Sequence, residues 1–170
     1  MIIRPERASD IAAIRAITAA AFLTVPQSRQ TEAAVVDALR EAGALAVSLV
    51  AIDDEDGQGE VVGHVALSPL TVNGSTGSGW YGGGPLSVRP DRQGEGIGTA
   101  LVRAAGERLA ELGAHGCLIV GDPAYYGRFG VVGGSSVEIP GVPAENILLL
   151  KLSDAEPVGE AAFHPAYGAS

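Results

Sequence analysis

Apolar residues recur along the chain with two spacings, and the switches between them divide it into elements. Residues 1–6 (MIIRPE) predict a short strand ended by Pro5. From Ile11 the spacing turns helical. Ile11, Ile14, Thr18 with Ala21, and Phe22 share one side, and Ser9 or Asp10 is the candidate cap. TVPQSRQ (24–30) breaks that helix. A second covers TEAAVVDALREAG, with Thr31 as cap, Val35, Val36 and Leu39 on one side and Gly43 as its stop. Two nearly continuous apolar runs, ALAVSLVAI (44–52) and VVGHVALS (61–68), predict strands joined by the acidic turn DDEDGQGE (53–60). The loop PLTVNGSTGSG (69–79) carries a hairpin signal at Asn73-Gly74. WYGGGPLSV (80–88) reads as a strand whose centre, Gly82 to Pro85, predicts a bulge or splay.

Helical spacing returns from about Gly96 to Leu112. Ile97, Leu101, Ala105, Leu109 and Leu112 form the apolar face, Arg103, Glu107 and Glu111 the polar one, and Gly113 ends the element. HGCLIVG (115–121) is a buried strand, PAYYGRFG (123–130) a short helix opened by Pro123, and NILLLKL (146–152) another strand. For GEAAFHPAYGAS (159–170) an edge strand and loose coil are both open. The order of elements gives an α/β domain with a mixed sheet, and 170 residues suit one domain.

Composition narrows the function classes. Hydrophobic residues make up 46 % of the chain and charged residues 18 %, which excludes a disordered segment. The net charge of −9 repels phosphate backbones and anionic membranes, so neither nucleic acid nor membrane is an expected partner. An anionic ligand then needs local donors, such as the free amides of a helix start. The lone Cys117 rules out an intrachain disulfide and a multi-cysteine zinc site; no metal is expected, and the thiol reads as a buried small hydrophobe. Charges at the N-terminus do not suit a signal peptide, and no apolar run is long enough for a membrane span, so a soluble, cytoplasmic protein is expected.

The candidate chemistry sits in RPDRQGEGIGTALVRAAGERL (89–109), where Gly94, Gly96 and Gly98 occupy alternate positions between a strand and a helix. Glycines there clear side chains from the unpaired amides of the helix start, an arrangement that suits a phosphate or pyrophosphate. A P-loop needs lysine after its last glycine, and Thr99 stands there. The dinucleotide fingerprint GxGxxG fails at Thr99 in one register and at Leu101 in the other, and Gly116 stands where its acidic residue would be. What matches is QxxGxG, as Gln93, Gly96 and Gly98, preceded by LSVRPD and followed by TAL. This resembles the coenzyme A loop of the GNAT superfamily of N-acetyltransferases. PAYYGRFG similarly resembles that family's FYxxxGF signature. The resemblance spans roughly residues 1–150, is most specific over 84–131, and is closest to a bacterial subgroup of predicted acetyltransferases.

The resemblance implies a single-domain, mostly antiparallel sheet flanked by helices and splayed at its fourth and fifth strands. The domain would cover 1–152, with 153–170 as a tail. It implies that the backbone of Leu86, Ser87 and Val88 pairs with the pantetheine arm. Gln93, Gly94, Glu95, Gly96, Ile97, Gly98 and Thr99 would hold the pyrophosphate, with Arg89 or Arg92 adding charge, and the thioester would enter at Gly82–Pro85. The activity implied is acetyl transfer from acetyl-coenzyme A to a primary amine on a metabolite, antibiotic or protein, by direct attack in a ternary complex; a homodimer is left open. The alternative is a non-catalytic acyl-coenzyme A sensor. Tyr126 falls on the tyrosine the family uses as general acid, against a role in packing alone. His64 is the titratable candidate for the general base, sharing a face with Val62, Ala66 and Ser68. A satisfied, half-buried histidine is the favoured reading of it, and a water chain is the third. Three positions depart from the family: Glu95 inside a phosphate loop, Asp122 near a common asparagine, and Val131 for the signature's last phenylalanine. Trp80 and Tyr81 either line the acceptor cleft or brace the sheet.

Overall fold

A computed structural model describes residues 1–54, 56–133 and 136–170. In chain order its elements are β1 (Ile2–Pro5), α1 (Ile11–Phe22), α2 (Glu32–Glu41), β2 (Val47–Ile52), β3 (Val61–Pro69), β4 (Thr71–Val72), β5 (Trp80–Val88), α3 (Ile97–Glu111), β6 (Gly116–Val120), α4 (Pro123–Tyr126), β7 (Val132–Gly133), β8 (Val137–Glu138), β9 (Ile147–Lys151) and β10 (Gly159–Ala162). The apolar runs form a seven-stranded sheet in the order β1-β2-β3-β5-β6-β9-β7. Every pairing in it is antiparallel except β5 with β6. The strand expected as fourth is β5, because the two-residue β4 precedes it.

Both faces of the sheet are covered. The apolar stripe of α3, Ile97, Leu101, Ala105 and Leu109, is buried against Leu49, Val65, Leu67, Cys117 and Ile119. On the opposite face Ile14 and Ile17 of α1 and Val36 of α2 pack on Val50, Ile52 and Ala66. A third cluster, with Leu70, Trp80, Leu118, Leu149 and Ala161, lies beneath the C-terminal tail. Trp80 is 5 % exposed there and Tyr81 packs with the α3 cluster, so both brace the sheet. Among the described residues no helix is long and apolar enough to cross a membrane.

Local chemistry moves several details. Asp10 does not cap α1 with its side chain; it takes two hydrogen bonds from the Arg4 guanidinium, at 2.7 and 3.1 Å, and one from the Arg7 amide at 2.7 Å. Thr31 makes no side-chain cap either. Leu112 continues the α3 spacing but sits at the helix end, 54 % exposed, where the stop at Gly113 turns the chain before the stripe reaches the core. Asn73 and Gly74 take positive φ, +51° and +71°, as a tight hairpin turn demands. Asn73 then clamps the tail: its amide nitrogen donates to the Val158 carbonyl at 2.9 Å and its amide oxygen accepts from the Glu160 N–H at 3.0 Å. The tail is therefore ordered as β10, paired with β4 and β8 in a second, three-stranded sheet.

Candidate active site

The sheet divides between β5 and β6. Their parallel pairing runs through Trp80–Gly116 and Tyr81–Cys117 and stops at Gly82–Leu118. Beyond it β6 keeps only β9, and β5 keeps only β3. The glycines explain where the fork begins. A Cβ on Gly83 would lie 2.8 Å from Ile119, so the strands can be this close only without one. At Gly84 φ is +117°, and β5 carries one residue more than β3 between the pairs Gly83–Leu67 and Leu86–Val65. That is the bulge the glycine run predicts. Residues 83–88 are left with an unpaired strand edge on the β6 side, and Gly83, Gly84, Leu86, Cys117, Ile119 and Tyr126 line an apolar cavity under α3.

The free edge of β5 leads into the glycine loop. Gln93 ties the loop back, its side-chain amide donating to the Val88 carbonyl at 3.1 Å. Gly94 and Gly96 have φ of +83° and +86°, the left-handed region that favours glycine. Gly96 is the N-cap of α3 and supplies no side-chain cap, while buried Ile97 anchors the first turn. The first bond across that turn runs from the Ala100 N–H to the Gly96 carbonyl at 3.0 Å, so the amides before it face outward as donors. Glu95 points away from them and accepts from Arg92 at 2.8 Å. Arg92 also holds Asp53 at 2.5 Å, and Arg89 holds Asp91 at 2.7 Å and Glu60 at 2.9 Å. Both arginines thus arrive at the loop already paired with carboxylates, so the amides remain as its free positive end.

Tyr126 closes α4 and looks into the fork. Asp122 shapes this turn by accepting the Ala124 N–H at 2.8 Å, which gives the departure from asparagine a local role as helix cap. The Tyr126 ring lies on the backbone of Gly121, where a Cβ would sit 2.4 Å from a ring carbon. It meets Tyr125 edge-on with centroids 5.0 Å apart. Tyr125 is 43 % exposed and stacks under the Arg128 guanidinium, as befits a packing neighbour. Burial pushes the Tyr126 phenol up to about 12, with smaller contributions from Tyr125 and Cys117. Burial likewise pushes the Cys117 thiol up to about 12, so no thiolate nucleophile is present at neutral pH.

His64 is fully enclosed rather than half-buried, at 0 % exposure. It sits on the α1–α2 face of β3, away from the Tyr126 cavity, cross-strand from Ser87, whose hydroxyl donates to Thr18 at 3.2 Å. Ser48 lies between His64 and Glu6: its hydroxyl donates to a Glu6 oxygen at 2.5 Å and meets His64 Nε2 at 2.8 Å. One hydroxyl has one proton, so Nε2 must carry the imidazole hydrogen, leaving Nδ1 as a buried acceptor with no partner among the described residues. Burial acts to raise Glu6, but bonds from Arg40 and Ser48, with His64 Nε2 3.7 Å away, overcome it and hold the carboxyl far below its usual range. Burial also lowers His64, against a smaller opposing pull from Glu6.

This last shift has a pH signature. The folded-state value lies below the unfolded one, so under acid the unfolded chain binds more protons at this site. The stabilisation is present above about pH 6.5 and is lost as pH falls through that range. Thermal melts should therefore show Tm falling between pH 7.5 and 5.5, by about 2–4 °C for each kcal/mol lost. His64→Gln should flatten that slope; equal slopes in both proteins would contradict the assignment.

Sequence reasoning missed Gly121, Ser68 and Tyr167 near the fork. Gly121 is detectable as the glycine that ends the HGCLIVG run ahead of the signature, whereas the other two carry no local motif.

Known proteins fit this geometry. A family model described as the acetyltransferase (GNAT) domain matches residues 45–132, from just before β2 through the Tyr126 turn to β7. YhbS, an uncharacterized N-acetyltransferase of Escherichia coli K12, is 39 % identical over 130 residues, 76 % of this chain and 72 % of that protein. The crystal structure of a GNAT family acetyltransferase from Brucella melitensis in complex with acetyl-CoA is 44 % identical, with a TM-score of 0.83 over 98 % of this chain and 97 % of that one. That of Escherichia coli YhbS in complex with CoA is 32 % identical, with a TM-score of 0.87 over 98 % and 91 %. With a family model matched over residues 45–132 and relatives of this identity and coverage, the chain belongs to the GNAT family of N-acetyltransferases.

Proposed function

We propose that this protein moves the acetyl group of acetyl-coenzyme A to a primary amine by direct attack in a ternary complex. The observation that carries the reading is the continuity of the unpaired β5 edge with the uncapped start of α3. One leads to the other through the 3₁₀ turn at Pro90–Arg92 and the glycine loop, in the order that an extended arm ending in a diphosphate needs. In this layout the amides from Gly94 to Thr99 receive the pyrophosphate, and Gln93 fixes the loop that presents them. The backbone of Leu86, Ser87 and Val88 lies along the pantetheine. The apolar cavity at Gly83, Gly84 and Leu86 takes the thioester. Arg89 and Arg92, held by acidic partners, shape the loop more than they neutralise phosphate. The acetyl-CoA and CoA seen with the two solved relatives support the same ligand here.

The amine nitrogen attacks the thioester carbon, the C–S bond breaks, and the products are an amide and free thiol. Tyr126 is the acid facing the departing sulfur; its hydroxyl makes no hydrogen bond among the described residues, so its proton is free to be offered. The amine sheds its proton to water. The enclosure of His64, its bond to Ser48 and its place on the face of β3 opposite the cavity-lining Val65 and Leu67 support a role for it as a buried anchor between β2 and β3.

The test is thiol release from acetyl-CoA across a broad panel of amines. Release that depends on one class of amine is expected. Tight acetyl-CoA binding with no release from any amine would leave a sensor, and no binding at all would remove the layout.

A further inference from the structure

We infer that Tyr167, in the C-terminal tail, is a positioning residue for the thioester end of the coenzyme site: it pins the β5 backbone at the point where the sheet divides. The inference rests on the proposed coenzyme layout.

Three successive glycines make the fork, and none has a side chain to hold it. The restraint comes from 80 residues further along the chain. After β10, Phe163 lays its ring on Gly82, the last residue of β5 paired with β6; a Cβ there would sit 2.5 Å from a ring carbon. A 3₁₀ turn follows at Pro165–Gly168, fastened by the Ala166 N–H donating to His164 Nδ1 at 3.1 Å. That turn brings the Tyr167 ring edge-on to Phe163, centroids 4.9 Å apart. The Tyr167 hydroxyl then donates to the Gly84 carbonyl at 2.7 Å. It also accepts from Ser68, fully buried on β3, over a longer 3.5 Å. The tail therefore touches β5 on both sides of the division, at Gly82 and at Gly84.

This contact is placed to matter for the ligand. Gly84 lies in the bulge, where β6 has already left, so no ladder fixes its peptide. The direction of residues 84–88 is set there, and those residues form the proposed edge for the pantetheine arm and wall of the thioester cavity. Tyr126 and Tyr167 reach the fork from different parts of the chain. Burial pushes both phenols up to about 12, with the Cys117 thiol adding to each. Tyr167 thus stays protonated and keeps its donor bond to Gly84 throughout the ordinary pH range. The glycine loop follows the other end of β5, so the nucleotide end of the ligand should not sense the change.

Tyr167→Phe keeps the ring and its stacking and removes only the hydroxyl. Calorimetry on the full chain would compare acetyl-CoA with adenosine 3′,5′-bisphosphate, the nucleotide end alone. Acetyl-CoA should bind about five- to tenfold more weakly, the worth of one hydrogen bond, while the nucleotide fragment binds as it does to the unaltered protein. Ser68→Ala should shift acetyl-CoA the same way by less. Unchanged acetyl-CoA affinity in Tyr167→Phe would overturn the inference. So would an equal loss for both ligands, which would mean general loosening. If the unaltered protein ignores acetyl-CoA, the coenzyme layout itself fails, and that titration separates the two failures.

Discussion

Gly96→Val should weaken coenzyme A binding by at least about 100-fold, or about 2.7 kcal/mol, as read by calorimetry. Two effects add. Gly96 holds φ at +86°, where a β-branched residue is strained by about 1–3 kcal/mol, and the melting curve of the variant reports that part. The second effect concerns only the ligand. Among the described residues beyond its own chain neighbours, no atom lies within 4 Å of a Cβ built at Gly96, so the added side chain meets open space at the start of α3, where the diphosphate is proposed to sit. Gly98→Ala is the control. Its Cβ would point inward, to ordinary contact with Val88 at 3.7 Å and Leu86 at 3.8 Å. Alanine is favoured over glycine within a helix by about 0.8–1 kcal/mol. Gly98→Ala should thus melt no lower than the parent and bind coenzyme A within about threefold of it, less than the worth of one hydrogen bond. Undiminished binding by Gly96→Val would remove the glycine loop from the site.

The contrast between these two glycines shows what the sequence could tell. Three glycines between a strand and an apolar helical stripe are a local signal, and the loop, the α3 stripe and the weakened centre of β5 all fall where that signal places them. The sequence does not say that Gly96 opens outward while Gly98 backs onto the sheet, because that depends on how α3 packs. Long-range pairing stayed hidden for the same reason. Arg92 reads as a free cation beside a phosphate loop until Asp53, on the other side of β3, is folded against it. His64 reads as a half-buried titratable residue because its partners come from elsewhere in the chain, Ser48 from β2 and Glu6 from just beyond β1. Leu112 fits the helical period, but periodicity does not register that the chain turns away before that position reaches the core. The tail was least legible. Its strand is four residues long, its order comes from the Asn73 clamp, and Tyr167 gains meaning only once it meets Gly84.

Tyr126→Phe should lower kcat by about 10²–10³, the cost of losing one donor aimed at developing charge, while leaving the KM for acetyl-CoA within about threefold. The variant is conservative where it needs to be. The ring fills the space over Gly121 and meets Tyr125 and Phe129, contacts that phenylalanine preserves. Only the hydroxyl is lost, and among the described residues no group is hydrogen-bonded to it. A phenol pushed up to about 12 is a weaker acid than the thiol it would form, whose ordinary value is about 8.5. Complete transfer from Tyr126 to sulfur is therefore uphill in the resting site. The hydroxyl acts first by donating a hydrogen bond to the sulfur as charge builds on it, and the proton shed by the amine restores the balance afterwards. Such a donor contributes in the transition state and little in the ground state, so the effect belongs in kcat. With the amine selected by the thiol-release panel, a rate unaltered by the substitution would reduce Tyr126 to packing and leave the departing sulfur to water.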